Sequence, residues 1–115
     1  MKIADFGLAT RLSHPDEKLT LCCGTPGYVA PEVFRNKGYN CASDVFSAGV
    51  IFYNMLTGQP LFKGTNPNSI LEKNKNYKYE LHKTFWSNIS PEAKDLIHKM
   101  IAEKPEERIS AKQAL

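Results

Sequence analysis

The sequence has few cysteines, and their arrangement argues against two common uses of that residue. Cys22, Cys23 and Cys41 are the three cysteines among 115 residues, and no two of them form a C-x-x-C pair. The odd count, without a basic-then-apolar leader, disfavours a secreted disulfide scaffold. The histidines share no ligand spacing with the cysteines, which disfavours a zinc site. We therefore expect small buried thiols and a reducing, cytoplasmic compartment.

The sequence also lacks a long apolar run and a strong excess of either charge. The longest apolar stretch is interrupted by Ser47, Gly49 and Asn54, well short of the roughly 20 residues that a membrane helix needs. A formal charge of +3 is too small and too scattered to indicate a nucleic-acid or membrane surface. The densest basic stretch, Lys73 to Lys83, is expected to be a solvated face, and the alternative is contact with an acidic partner. No nucleic-acid or membrane partner is therefore expected.

What is present is the composition of one folded domain with a helical pattern over its C-terminal two-thirds. An apolar fraction of 42% and a charged fraction of 23% are ordinary for a globular protein, and this length allows one core. Polar capping residues at 40–44 lead into a helix that stops at Gly58. Because its apolar residues cover nearly the whole circumference, we expect this helix to be central. Three further helices are predicted from caps or helical spacing: one at 66–74, one that begins at Pro91, buries a single stripe and ends before Pro105, and one at 111–115.

The first forty residues have a different pattern. Lys2 to Phe6 is predicted to form a short strand. Residues 7–29 contain too many prolines and glycines for a regular element, which predicts a long loop. A loop of that length in a compact domain is typical of a functional segment, and this one holds aromatic and apolar residues that a disordered linker lacks.

Four motifs occur in one order along the chain. They are Asp5-Phe6-Gly7 directly after the predicted strand, the stretch from Gly24 to Glu32 that ends in Ala-Pro-Glu, the stretch from Ser43 to Val50, and Arg108. Together they resemble the C-terminal lobe of a eukaryotic protein kinase over essentially the whole chain. The segment 24–28, Gly-Thr-Pro-Gly-Tyr, resembles serine/threonine kinases of the calmodulin-dependent kind and not tyrosine kinases.

The resemblance implies a mainly α fold, the helical C-terminal lobe of the protein kinase fold, with a short β-strand and the activation loop at its N-terminus. It divides this partial kinase domain into an activation segment at 5–32 and a helical subdomain at 33–115. The sequence contains no glycine-rich loop, no V-A-I-K lysine and no H-R-D-x-x-x-x-N loop, so the N-terminal lobe and catalytic loop are absent from it. Met1 stands where the family has an apolar strand residue, and we expect a fragment of a longer kinase or an incomplete gene model.

The implied activity is transfer of the γ-phosphoryl group of ATP to Ser or Thr of protein substrates, with magnesium. This chain alone is expected to be inactive, because it lacks the catalytic base. The alternative is a noncatalytic kinase-derived module that binds a protein partner through the helix groove. The oligomeric state is left open.

By resemblance, Asp5, Phe6 and Gly7 form the part of the chain that meets the nucleotide. Asp5 would hold magnesium that bridges the ATP phosphates, since a carboxylate is a hard oxygen ligand. Phe6 would pack beneath Asp5, and Gly7 would permit the backbone rotation between active and inactive geometry. The alternative is a simple Asp-x-Gly turn after a strand.

Four further residues acquire roles by the same resemblance. Thr25 would support catalysis by hydrogen-bonding the catalytic loop, and the segment around it is also a plain tight turn. Asp44 would anchor the backbone of that loop, and its alternative is an ordinary carboxylate at a helix N-terminus. Glu32 and Arg108 would form a buried bidentate ion pair, for which a planar guanidinium is suited.

Kinases of this type are often switched on by phosphorylation of a loop threonine, whose added charge arginines can pair. Counting back from Thr25 places Leu21 at the usual position. Thr20, one residue earlier, is a possible phosphosite in its place, as are Ser13 and Thr10. This departure argues against activation that depends on phosphorylation.

Overall fold

The computed structural model describes residues 2–14, 16–35 and 37–115. Within these ranges the chain forms six α-helices: α1 Pro31–Phe34, α2 Ala42–Thr57, α3 Pro67–Lys75, α4 Lys83–Ser87, α5 Pro91–Met100 and α6 Ala111–Ala114. Two 3-10 helices, Phe6–Leu8 and Pro105–Glu107, and an isolated antiparallel bridge between Leu19 and Tyr39 accompany them. The mainly helical architecture expected from the sequence is confirmed.

The strand predicted at 2–6 is wrong. Residues 2–5 have no regular secondary structure, and Phe6 begins a 3-10 helix with Asp5 as its N-cap. A strand is stabilised by the hydrogen bonds of a neighbouring strand. In the described parts of the chain no backbone hydrogen bond joins residues 2–5 to another segment. The loop predicted after this point is present, and it begins with the 3-10 helix.

Helix α2 begins and ends at the signals that the sequence contains. The Asn40 side chain accepts a hydrogen bond from the Ala42 amide at 3.1 Å, and the Ser43 hydroxyl donates to the Asn40 carbonyl at 2.8 Å. At the other end Gly58 adopts a left-handed conformation with φ 64°, and its amide donates to the Asn54 carbonyl. This is a left-handed C-cap that a residue without Cβ adopts at little cost.

Helix α2 supplies three residues of the hydrophobic core, as expected of a central helix, but within the described residues it is not covered on every side. One face is buried, with Phe46, Val50 and Tyr53 almost completely shielded from solvent. The opposite face is open, and Met55 is 70% exposed while Ile51 is 45% exposed. A helix that is apolar all round is expected to be covered on every side, but among the described residues the face that carries Ile51 and Met55 is left open.

Helix α5 supplies the main packing partner of α2. It begins at Pro91 after Ser90, whose hydroxyl accepts a hydrogen bond from the Ala93 amide at 3.2 Å. Ile97 and the C-cap residue Ile101 are fully buried, so α5 buries one stripe of side chains. The two helices approach closely at Gly49 of α2, where a Cβ atom would lie only 2.7 Å from Met100 Cβ.

The short helices α3 and α6 each begin at a capping box. Asn66 and Ser69 form a reciprocal capping box at the start of α3, and Ser110 and Gln113 form another at α6. Both helices are therefore present where the sequence predicts them. The lysines between residues 73 and 83 are exposed, in agreement with a solvated face. The sequence did not predict α1 and α4, each of five residues or fewer.

Aromatic rings fill much of the core between these helices. Phe46 stacks on Phe62 with ring centroids 6.4 Å apart, and Tyr53 lies 5.6 Å from Trp86. Tyr77 adopts a left-handed backbone conformation with φ 52°, and its hydroxyl donates to the Ile101 carbonyl at 2.7 Å. This hydrogen bond ties the turn after α3 to the end of α5.

The expectation of three buried thiols is wrong. Cys22 and Cys41 are exposed, and Cys23 is half-buried. Cys22 and Cys23 lie in the long loop and Cys41 at the first turn of α2, where the surface is open, so little apolar packing is available to them.

Among the described residues, no helix is both long enough and apolar enough to cross a membrane.

Candidate functional site

An open groove runs between the long loop and the N-terminal half of α2. Its volume is about 460 Å³. Residues from four parts of the loop and from the first turns of α2 line it, among them Leu8, Thr25, Tyr28, Val29, Asp44 and Ser47. The groove therefore brings together two of the residues singled out from the sequence, Thr25 and Asp44.

The Asp5-Phe6-Gly7 triplet forms a tight, exposed turn at the start of the loop. Asp5 has φ 61° and ψ 75°, an uncommon left-handed conformation for a residue other than glycine. Its carboxylate accepts a long hydrogen bond of 3.5 Å from the Gly7 amide. Phe6 is 68% exposed, so its ring is not packed beneath Asp5 in this structure. The Asp-x-Gly turn and the nucleotide-binding interpretation are both compatible with this geometry.

The described residues can supply only some of the oxygen ligands that a magnesium ion needs. Magnesium in nucleotide sites takes one or two carboxylates and completes its octahedron with phosphate oxygens and water. In the described part of the chain no group of three or more His, Cys, Asp or Glu side chains could hold a metal ion. Asp5 is exposed and can offer its carboxylate oxygens. Asp5 can therefore serve as one ligand of a magnesium ion that is bound together with a nucleotide. The described residues do not form a complete metal site by themselves.

Thr25 lies in a turn whose shape is imposed by glycine. Its carbonyl accepts a hydrogen bond from the Tyr28 amide at 3.2 Å, which closes the turn. Gly24 has φ 121°, and a Cβ atom there would lie 2.7 Å from Val29 Cγ2, so a larger residue would force the turn apart. Thr25 itself is exposed on the groove. Its tight turn and its position beside the groove are thus present together.

Asp44 occupies the first turn of α2 and is exposed to the same groove. In this position a carboxylate is stabilised by the N-terminal end of the helix dipole. No hydrogen bond to its carboxylate occurs within the described residues. Asp44 is therefore open to accept hydrogen bonds from a segment lying in the groove.

Glu32 and Arg108 are brought together from opposite ends of the chain. Arg108 Nη1 donates to Glu32 Oε1 at 2.7 Å, and Arg108 Nη2 donates to Glu32 Oε2 at 3.0 Å. The Arg108 side chain is fully buried and that of Glu32 is 7% exposed. This bidentate contact fixes the end of the loop, at α1, to the segment before α6.

Thr20 is exposed beside the bridge that Leu19 forms with Tyr39. The other two candidate phosphorylation positions, Ser13 and Thr10, are also exposed. All three hydroxyls are therefore accessible, and the structure does not distinguish among them by burial.

Tyr39 is a residue of the groove that the sequence did not single out. Its hydroxyl donates to the Leu21 carbonyl at 2.7 Å and lies 3.9 Å from Cys23 Sγ. Burial raises the pKa of Tyr39, and the contact with Cys23 adds to that rise. Tyr39 is thus neutral near pH 7 and ties the middle of the loop to the segment before α2.

Asn74 is a second residue that the sequence analysis missed. It lies in the last turn of α3, is fully buried, and hydrogen-bonds the backbone of Gly27 and Val29. The signal available in the sequence was an amide four residues after Ile70, on the same face of a helix as that apolar residue. A polar residue at such a position needs hydrogen-bonding partners.

Comparison with known proteins agrees with this geometry. The model of the family described as "Protein kinase domain" matches residues 1–115. The chain belongs to the protein kinase domain family. It is 41% identical over 115 residues to a protein of Plasmodium falciparum (isolate K1 / Thailand) named "Probable serine/threonine-protein kinase 2". It is 42% and 43% identical over the same length to proteins named "Serine/threonine-protein kinase PLK4" of Drosophila persimilis and Drosophila grimshawi.

The chain covers 22% of the Plasmodium protein and 14–15% of the two Drosophila proteins. Serine/threonine kinases are thus the relatives of this protein kinase domain, in agreement with the sequence analysis. These relatives are not named as calmodulin-dependent kinases, and that finer resemblance stays a prediction.

Proposed function

We propose that this chain supplies the activation segment, residues 5–32, and the helical subdomain, residues 33–115, of a protein serine/threonine kinase. The kinase would transfer the γ-phosphoryl group of ATP to a Ser or Thr hydroxyl of a protein substrate, in the cytoplasm. The observation that carries the proposal is the buried Glu32–Arg108 contact. It fixes the end of a loop whose preceding residues, including Thr25, line one groove with Asp44.

In this proposal the groove receives the catalytic loop and the substrate segment. The exposed Asp44 carboxylate accepts hydrogen bonds from backbone amides placed there, and the Thr25 hydroxyl orients the groups beside it. Asp5 would contribute one carboxylate to a magnesium–ATP complex. The metal, when bound, would neutralise charge that develops on the phosphoryl oxygens.

Phosphoryl transfer also requires a base that these 115 residues do not supply. The acceptor hydroxyl oxygen bonds to the γ-phosphorus, the bond from that phosphorus to the β–γ bridging oxygen breaks, and ADP leaves. The hydroxyl proton must pass to a base, which in the kinase resemblance belongs to the H-R-D loop. That motif does not occur in the 115 residues. We therefore propose that these residues alone do not catalyse the transfer.

A chimeric kinase tests the proposal. The matching segment of the Drosophila persimilis PLK4 protein, 42% identical over all 115 residues, would be replaced by residues 1–115. We expect the chimeric kinase to transfer labelled phosphate from ATP to Ser or Thr peptides, and the 115-residue chain alone to transfer none.

Matched variants show whether the activity depends on the proposed site. Asp5→Asn should abolish transfer by the chimeric kinase, because it removes the anionic ligand. Asp16→Asn, at another exposed aspartate of the same loop, should leave it unchanged. A chimeric kinase that melts like the parent and is inactive would contradict the proposed function. If the 115-residue chain alone transferred phosphate, and Asp5→Asn abolished that transfer, the proposal that these residues alone are inactive would be contradicted.

A further inference from the structure

The side chain of Asn74 holds the loop from the other side of the core. Its Oδ1 accepts a hydrogen bond from the Gly27 amide at 2.9 Å, and its Nδ2 donates to the Val29 carbonyl at 2.8 Å. Asn74 is 0% exposed. The two contacts cross 47 and 45 residues of sequence, so nothing local brings them about. One amide thus clamps two backbone groups of the same short segment.

The segment that Asn74 clamps cannot satisfy these backbone groups by itself. Within the described residues, no hydrogen bond of a turn, loop or helix cap joins the Gly27 amide or the Val29 carbonyl to another backbone group. Gly27 has φ 91°, and a Cβ atom there would lie 3.2 Å from Ile70 Cγ2, so the loop bends tightly against α3. Buried backbone groups need partners, and the Asn74 amide supplies a donor and an acceptor at the required spacing.

Helix α2 holds the same segment between the two points that Asn74 fixes. The Ser47 hydroxyl donates to the Tyr28 carbonyl at 2.9 Å. Three consecutive residues are therefore held by side chains from two helices. Tyr28 and Val29 both line the groove, so the shape of this wall depends on α3 through the Asn74 contacts.

We propose that Asn74 is a positioning residue for the protein substrate: it fixes the groove wall at Gly27–Val29 against which the substrate segment binds. This inference rests on the proposed kinase function. Asn74 touches neither the Asp5 turn nor the groove itself, since its hydrogen bonds are made to the backbone behind the wall. Loss of its hydrogen bonds should therefore weaken peptide binding and leave ATP binding unchanged.

Two substitutions in the chimeric kinase separate hydrogen bonding from space filling. Asn74→Leu keeps the branched shape and the number of side-chain heavy atoms of the native residue, is somewhat larger, and can make neither hydrogen bond. Asn74→Gln keeps the amide donor and acceptor but is one methylene longer. Both substitutions enlarge the side chain, so a purely structural role in packing would make them comparably damaging. If the hydrogen bonds matter, Leu should be clearly the more damaging one.

The measurement compares the KM for the peptide with the KM for ATP. We expect Asn74→Leu to raise the KM for a Ser or Thr peptide about tenfold, with the KM for ATP unchanged, and Asn74→Gln to raise the peptide KM less. Asn68→Leu is the matched control, because Asn68 is an exposed residue of the same helix, and it should leave both constants unchanged. Equal effects on the two KM values, or a normal peptide KM in Asn74→Leu, would overturn the proposal.

Amide hydrogen exchange of the chimeric kinase tests the clamp without activity. The Gly27 amide should exchange slowly in the parent chimera and about tenfold faster or more in Asn74→Leu, with Asn68→Leu unchanged. This holds even for an inactive chimera, which would contradict the proposed function and not the clamp. A Gly27 amide that exchanges equally fast with Asn and Leu at position 74 would overturn the inference.

Discussion

Truncation of either partner in the buried Glu32–Arg108 pair should destabilise the folded protein far more than truncation of a surface pair. The two side chains are withdrawn from water and joined by two hydrogen bonds of 2.7 and 3.0 Å. Removal of one partner leaves the other charge buried without compensation, which costs about 3–5 kcal/mol. A loss of that size is a large share of the roughly 5–15 kcal/mol that stabilises a typical domain.

The structure also predicts which truncation is worse. Besides Glu32, the Arg108 guanidinium donates to the carbonyls of Ala42 at 2.7 Å, Ala102 at 2.9 Å and Glu103 at 3.3 Å. Arg108→Ala therefore strips three carbonyls of a donor in addition to isolating the carboxylate, and we expect about 5 kcal/mol. Glu32→Ala leaves the guanidinium with its carbonyl partners, and we expect about 3 kcal/mol.

Urea melts of the chimeric kinase measure these losses, with the single variants and the double variant compared in a cycle. The double variant should lose no more than Arg108→Ala alone, and far less than the sum of the two single losses, because no isolated charge is left in it. The matched control is the Arg35–Glu103 pair, at 2.5 Å with side chains 37% and 42% exposed. Its truncations should cost only about 0.2–1 kcal/mol.

Additive losses below about 1 kcal/mol for Glu32 and Arg108 would refute this reasoning. They would mean that the two side chains lie apart or in solvent. The assignment of the Ala-Pro-Glu motif as an anchored loop end would then fail as well.

Three further predictions concern the helices and the turn after α3. Gly49→Ala should lower the free energy of unfolding by about 1–3 kcal/mol in urea melts, because the new methyl group overlaps Met100; unchanged or greater stability would contradict the close α2–α5 approach. Burial raises the pKa of Tyr77, so its contribution to stability is full below pH ~10 and is lost as pH rises above that value. Thermal melts across this range should show a smaller alkaline loss for Tyr77→Phe, and equal losses would refute the assignment. The isolated chain should bind a hydrophobic dye through the open face of α2, and Ile51→Glu with Met55→Lys should reduce the fluorescence; undiminished fluorescence would place the dye elsewhere.

The parts of the fold that follow from local signals could be predicted from the sequence. Helix α2 ends at Gly58, and α5 begins at the Ser90–Pro91 cap, because each signal acts within one helical turn. The strand predicted at 2–6 failed because a strand needs a neighbouring strand, which the residues of the segment do not specify. Likewise, the apolar residues all around α2 predict burial on every side, but they do not specify which segments of the chain cover each face.

The candidate site was predictable in its motif residues and not in the side chains that support them. Glu32 and Arg108 stood out because the resemblance pairs them across 76 positions. Asn74 and Tyr39 act on loop backbone through long-range contacts. Helical spacing can indicate that Asn74 needs hydrogen-bonding partners, but neither side chain reveals in the sequence which distant backbone groups it binds.

The Glu32–Arg108 contact also has a consequence for folding during synthesis. The two residues lie 76 positions apart, and a ribosome that adds about 5–20 residues per second needs roughly 4–15 s to make that interval. Throughout this time Glu32 has emerged without its arginine, so burying its carboxylate is unfavourable. The nascent loop end must therefore stay hydrated until Arg108 leaves the ribosome, and closure of this lobe has to wait for the segment before α6.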